Sequence, residues 1–289
     1  MSDLFKASFE IILPPAQEPI HNSEAPIGIF DSGIGGLTVA KAVHELLPNE
    51  NLIYFGDTAH LPYGDKSTAA IQSYAIKICN FLLSRRCKVI LIACNSAAAA
   101  AFDLVKTYVG SKAHVFSVIE PTVALVTQRF AGKNVGLIGT KQTVSSAVYE
   151  HQIEQERANI HLKALATPLL VPMIEEGFIT NRVSHEVIEN YLSRPELTDI
   201  QALILGCTHY PLIKKEIVAY YQQQVEVIDS SEAVAHSLKV ALEHTQLLNK
   251  ASTPASMQFY VSDYTEGFEK ATQIFFGEAL HLEKFPLWD

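Results

Sequence analysis

Cys94 and Cys207 stand at matched places in two stretches that read as copies of each other. Val89-Ile90-Leu91-Ile92-Ala93-Cys94-Asn95-Ser96 and Ala202-Leu203-Ile204-Leu205-Gly206-Cys207-Thr208-His209 each run as a buried strand into a small residue, a cysteine and two polar residues. Upstream lies a second matched pair, Ile27-Gly28-Ile29-Phe30-Asp31-Ser32 and Val135-Gly136-Leu137-Ile138-Gly139-Thr140, and the separations to the cysteines are 63 residues from Asp31 and 67 from Thr140. Open parallel sheets bind ligands beyond the carboxyl ends of their strands, so each half of the chain offers one thiol to a ligand. Two thiols facing each other across a cleft can move a proton from one face of a carbon to the other.

The neighbours sharpen that chemistry. A helix beginning at about Asn95-Ser96 would set its positive end against Cys94 and favour the thiolate. The plain alternative is an inert buried cysteine, and the matching Cys207 argues against it. His209, two residues beyond Cys207, can hold that thiol as thiolate or relay its proton, whereas alone it would read as a capping or core histidine. A zinc site from Cys94, Cys207 and His209 lacks a standard ligand spacing and a second cysteine pair. Cys79 and Cys87 have no polar company and read as structural.

Asp31-Ser32-Gly33-Ile34-Gly35-Gly36 is a strand-to-helix turn whose amides could face an anion. Counted from Gly33 the sixth position is Thr38, not glycine, so the dinucleotide fingerprint fails, and Asp57 is no ribose acid. A smaller zwitterion fits better, with Ser32 and the amides on its carboxylate and Asp31 near its ammonium or a thiol. Tyr63-Gly64 lies in a turn-rich loop, and Asn95, Ser96, Thr140 and Thr208 add uncharged donors at strand ends. Glu175 and Glu176, just before Gly177 near a helix end, read on their own as solvated.

The elements that must position these residues alternate in type. Strands are expected at 26–31, 51–56, 88–93, 114–118, 134–139, 159–165, 201–206, 225–228 and 257–261. Helices are expected at 36–47, 67–86, 96–109, 121–131, 141–156, 181–193, 211–222, 230–246 and 264–275. The pattern predicts an α/β protein of two pseudo-symmetric domains, each a mostly parallel sheet flanked by helices, with the active site in the cleft between them. Residues 1–25, with four of their neighbourhood's prolines at 14, 15, 19 and 26, read as an amino-terminal extension. Residues 26–116 plus 233–289 form the first expected domain and 117–232 the second.

Composition excludes several classes. A net charge of −9 argues against a nucleic-acid groove or an anionic membrane as main partner. No apolar run reaches the roughly 20 residues of a membrane span, and the amino terminus, with Asp3 and Glu10, makes a poor signal peptide. Four cysteines in 289 residues are no disulfide framework, so a reducing cytoplasm is expected.

Over roughly residues 26–285 the chain resembles the glutamate racemases of the aspartate/glutamate racemase superfamily. The matching pieces are Phe30-Asp31-Ser32-Gly33-Ile34-Gly35-Gly36-Leu37, Pro62-Tyr63-Gly64, Ala93-Cys94-Asn95-Ser96-Ala97 and Leu205-Gly206-Cys207-Thr208-His209-Tyr210-Pro211. The histidine after Cys-Thr is the mark of the glutamate enzymes rather than their aspartate relatives. The resemblance implies cofactor-independent, two-base racemisation of L- and D-glutamate, supplying D-glutamate for peptidoglycan. It implies that Cys94 takes the α-proton from D-glutamate and Cys207 from L-glutamate, that Asp31 and His209 assist the respective thiols, and that Glu175 is a further acid near His209. Asp31, Ser32, Tyr63, Gly64, Asn95, Ser96, Thr140, Thr208 and His209 match substrate-binding positions. Two positions depart from the family: Ser96 stands for the usual threonine and keeps its hydroxyl, and Thr122 stands where glycine is usual after Glu120-Pro121. The extension resembles that of members activated by a cell-wall nucleotide precursor, and a homodimer is among the arrangements to expect.

Other readings stay open at this level: another racemase of the superfamily, a ligand-binding protein, or a hydrolase using one cysteine as nucleophile. If residues 1–25 serve regulation, their removal leaves a folded protein with altered basal activity or activator response. An insoluble product, or one with wholly unchanged kinetics, removes that role.

Overall fold

The computed structural model describes residue 20, residues 22–251 and residues 255–288. Most of the extension, expected at residues 1–25, lies outside the described residues. The first elements are β1 (Ile27–Asp31), α1 (Leu37–Leu46), β2 (Leu52–Gly56), α2 (Thr68–Ser84), β3 (Val89–Ile92), α3 (Asn95–Val109), β4 (His114–Ser117) and α4 (Ile119–Arg129). Then come β5 (Asn134–Gly139), α5 (Lys141–Ser145), α6 (Val148–Gln155), β6 (His161–Ala166), α7 (Leu170–Glu175), α8 (Arg182–Leu192), β7 (Ala202–Gly206), α9 (Lys214–Tyr220) and β8 (Glu226–Asp229). The last are α10 (Ser230–His244), β9 (Met257–Val261), α11 (Glu266–Phe275) and β10 (Glu283–Lys284).

The protein is α/β, with two parallel sheets flanked by helices. One has the order β10-β9-β2-β1-β3-β4 and the other β6-β5-β7-β8. Every residue of β1, β2, β3 and β7 is buried. This explains why those strands read as continuous apolar runs: parallel sheets are covered on both faces. In the first sheet β1 pairs with β2 on one side and β3 on the other; in the second, β5 sits likewise between β6 and β7. Strand order therefore reverses between β1 and β3 and again between β5 and β7. Such reversal points open the crevices in which α/β sheets bind ligands, and each carries one of the two cysteines just past a strand end.

The structure departs from expectation in several places. The helix expected over 141–156 is broken between α5 and α6, where Ala147 takes a left-handed conformation with φ 52°. The cause is local: Ser146 donates its hydroxyl to Thr143 O at 2.7 Å and accepts from Val148 N at 3.3 Å, competing with the helix for backbone partners. α7 is absent from the expected helices; Pro172 falls in its first turn, where proline is tolerated. The element expected over 211–222 opens as a tight 3₁₀ turn, Tyr210–Ile213, before α9. Thr122, the departure from the family's glycine, sits inside α4 and donates its hydroxyl to Val118 O at 2.6 Å. No helix among the described residues is long and apolar enough to cross a membrane.

Candidate active site

Cys94 caps α3, and its sulfur accepts from Ala97 N at 3.4 Å and lies 3.6 Å from Ser32 Oγ. Cys207 follows β7, with its sulfur 3.8 Å from His209 Nδ1. The far side of that ring, Nε2, is 3.0 Å from Glu175 Oε1, so α7 supplies the acid that sequence alone read as solvated. Both cysteines are buried to the same extent, 6% exposed, and both line one cavity. Ser32, Tyr63, Gly64, Asn95, Ser96, Thr140, Thr208, His209 and Glu175 line it too.

Asp31 does not line this cavity. Its side chain is fully buried behind it, accepting from Gly33 N at 3.0 Å and from the Thr208 hydroxyl at 3.5 Å. The nearby amides of Gly36 and Ser32 also favour its charged form. The anion cradled by the glycine-rich turn is thus the chain's own carboxylate, and the expectation that these amides serve a ligand is corrected accordingly. Gly35 and Gly36 serve close approach. A Cβ on Gly35 would lie 2.4 Å from His209 Cε1 and 2.7 Å from Thr208 Oγ1, and one on Gly36 would lie 2.5 Å from Asp31 Cβ. Thr38, at the start of α1, donates to Thr208 O at 2.9 Å and ties the same seam.

The hydroxyls of Ser96 and Thr140 meet at 2.8 Å across the two halves. Asn95 accepts at Oδ1 from the fully buried Tyr149 hydroxyl at 2.8 Å. Its Nδ2 is buried with no partner among the described residues, which leaves a donor for a ligand. Tyr63 donates its hydroxyl to Asp57 at 2.7 Å instead of to the cavity. Sequence reasoning missed Thr167, Val171 and Lys141 among the lining residues, and Tyr149 behind it. Their signal is purely tertiary: nothing in the local pattern points to them.

Charge is distributed unequally over this near-symmetric frame. Burial pushes the Cys94 thiol up to about 12, the Asp31 carboxylate adds to the rise, and the Ala97 amide and Ser32 hydroxyl only partly offset it. The thiolate expected from the helix terminus is therefore corrected to a neutral thiol. The field of one helix end is worth about 0.3–1 kcal/mol when exposed and up to about 2 in buried geometry, whereas a full desolvation can shift a group by up to about 3–5 units. Burial works against a charged His209, but the hydrogen bonds and charges of Cys207 and Glu175 prevail and raise it to about 10. As an imidazolium it donates from both nitrogens and stabilises negative charge formed on the Cys207 sulfur. Asp31 is itself raised, by burial.

A family model described as Asp/Glu/Hydantoin racemase matches residues 35–238. The glutamate racemase of Chlorobaculum parvum is 41% identical over 259 residues, covering 90% of this chain and 95% of that protein. The chain belongs to the glutamate racemase family. Among solved structures, the glutamate racemase of Francisella tularensis in complex with D-glutamate is 40% identical, with a TM-score of 0.86, covering 92% of this chain and 99% of that one. That of Thermus thermophilus in complex with beta-chloro-D-alanine is 38% identical, with a TM-score of 0.82 and coverage of 91% and 98%. The enzyme is therefore an amino-acid racemase, an isomerase.

Two outcomes follow for the racemase. Gly35→Ala forces His209 or the whole seam to move, and a misplacement of that order should cost about a hundredfold in kcat/KM. Gly267→Ala, whose new Cβ meets, among the described residues, only Thr265 Oγ1 at 3.7 Å, should cost little. The proton on His209 is held more tightly in the folded state, about 10 against an ordinary 6.5. Its stabilisation is therefore complete below pH 6.5 and lost as pH rises through about 10. Melting temperatures of wild type and His209→Asn should accordingly converge between those limits, and parallel curves would contradict the assignment.

Proposed function

We propose that the enzyme interconverts L- and D-glutamate by a two-base mechanism in which Cys94 and Cys207 act on opposite faces of the α-carbon. One observation carries the reading: two thiols of equal burial, each past a strand end at the reversal point of its own sheet, line a single cavity. Their surroundings differ in the way a two-base reaction needs, one sulfur a neutral thiol and the other beside an imidazolium.

In the L-to-D direction the Cys207 sulfur, held as thiolate by His209, takes the α-proton. Cys94, a neutral thiol, delivers its proton to the other face. Glu175 keeps His209 charged and oriented. Asp31 acts from behind Cys94 by opposing its ionisation, which keeps the proton available for transfer. In the reverse direction the roles exchange, and Cys94 must then ionise against Asp31. The α-proton is a very weak acid, so the planar anionic state needs donors on its carboxylate. Asn95 Nδ2 and the Ser96, Thr140 and Thr208 hydroxyls are the groups we assign to that task, with Ser32, Tyr63 and Gly64 completing the substrate wall. The Francisella relative, solved with D-glutamate, supports glutamate as the ligand of the corresponding cleft. We extend the reading to supply of D-glutamate for peptidoglycan in the cytoplasm, to activation by a cell-wall nucleotide precursor through residues 1–25, and to a homodimer. The domain division at 117 and 233 belongs to the same proposal.

Serine is nearly isosteric with cysteine but far less acidic. Cys94→Ser and Cys207→Ser should each lower racemisation by about 10²–10⁴-fold with the fold intact. Elimination from a glutamate analogue with a good leaving group at Cβ needs only the first deprotonation. Cys207→Ser should therefore keep elimination from the D form and Cys94→Ser from the L form. Near-normal racemisation by either variant, or one enantiomer preference shared by both, would contradict the division of labour.

A further inference from the structure

Asp57, just past β2, has no part in the chemistry above, yet more side-chain donors converge on it than on any cavity residue. Its carboxylate is fully buried and accepts from Tyr63 OH at 2.7 Å, Ser262 Oγ at 2.7 Å, Trp288 Nε1 at 2.8 Å and His60 Nδ1 at 3.0 Å. Three separate segments meet there: the loop after β2, the end of β9, and the chain around Trp288. Burying a carboxylate is costly unless its lone pairs are occupied, and here four donors occupy them.

Of these donors only Tyr63 lines the candidate active site, beside Leu61, Pro62, Gly64 and Asp65. Gly64 lies so near Thr140 that an added Cβ would come within 2.9 Å of Thr140 Cβ. The path of this loop thus sets one wall of the cavity, and the Tyr63–Asp57 bond holds the loop from behind. Trp288 is fixed on the other side of the carboxylate. Its ring meets His60 edge-on at 4.5 Å and Tyr74 at 5.3 Å, and Lys77 Nζ lies 4.7 Å from its centre. Ala59 N donates to Ser262 Oγ at 2.9 Å, a second stitch between the loop and the end of β9.

We propose that Trp288 is a positioning residue for the active-site loop: through Asp57 it fixes Tyr63 and the Leu61–Asp65 wall, and so sets the affinity for glutamate. This rests on the reading of the cavity as the glutamate site. Coupling of this kind is reciprocal: if the indole bond favours the binding form of the loop, bound glutamate must alter the surroundings of the indole. Trp288 is the single tryptophan of the chain, so its fluorescence reports this hub and nothing else.

The test uses the full-length protein. Trp288→Phe keeps an aromatic ring against His60 and Tyr74 and removes the N–H together with part of the indole. Loss of a bond to a charged acceptor should raise KM for both enantiomers by roughly threefold to tenfold, with kcat changed by less than about twofold. Wild-type emission should change saturably on titration with racemic glutamate, whose composition the enzyme cannot alter, with a midpoint near KM. Emission unmoved by saturating glutamate overturns the proposal whatever the variant does, and that arm decides alone if the variant does not fold. KM unchanged, or kcat and KM both impaired together with a lowered melting temperature, also overturns it. Failure of the racemase reading looks different: wild type would then exchange no α-hydrogen with solvent, while the emission titration would still report any coupling of glutamate to Trp288.

Discussion

The seam where the end of β1 meets the end of β7 constrains everything in the cleft. His209 and Thr208 come so close to Gly35 that a single methyl there would overlap the imidazole. Thr38 binds the carbonyl of Thr208, and the Thr208 hydroxyl reaches Asp31. Two sheets that share no strand are thereby held with the carboxyl ends of their central strands face to face. The sulfurs line one cavity because this contact is short and specific, in keeping with the demand that catalytic groups be held close to the geometry of reaction.

On that nearly symmetric frame the protein places unlike polar neighbours. Cys94 and Cys207 occupy equivalent places relative to their sheets and are equally buried. One has a buried carboxylate behind it and the other a histidine held by a second acid. The frame supplies opposed positions, and the polar neighbours make the two positions unlike. Burial is the larger influence on Cys94 and overrides the helix terminus that caps it. A dry site also strengthens each charge interaction on which the transition state depends.

Much of this was legible because its signals are local. Continuous β-branched runs declared the parallel strands, and the repetition of strand, small residue and cysteine placed both thiols. The polar residues after those cysteines line the cavity as the repeat implied. What stayed hidden depends on contacts between distant segments. The turn at Gly33–Gly36 looks in sequence like a cradle for a ligand, and only its surroundings show the amides committed to Asp31. Glu175 read from its local pattern as solvated, because its partner lies 34 residues away on another element, and only the family resemblance put it near His209. The bonds from Tyr149 to Asn95 and from Trp288 to Asp57 span still more chain. The break before α6 was local but ambiguous, since serine supports a helix or unwinds it according to where its hydroxyl turns.

The central claim is that two distinct thiols serve the two faces of one carbon, and solvent isotope tests it most directly. Either enantiomer of glutamate is incubated with the enzyme in deuterium oxide, and the α-hydrogen of both enantiomers is followed before equilibrium. The account predicts that the product carries deuterium from its first appearance while recovered substrate keeps protium, in both directions. Deuterium entering recovered substrate as fast as product would mean one base serving both faces, and its absence from both would mean that the abstracted proton returns to the same carbon or that none is removed.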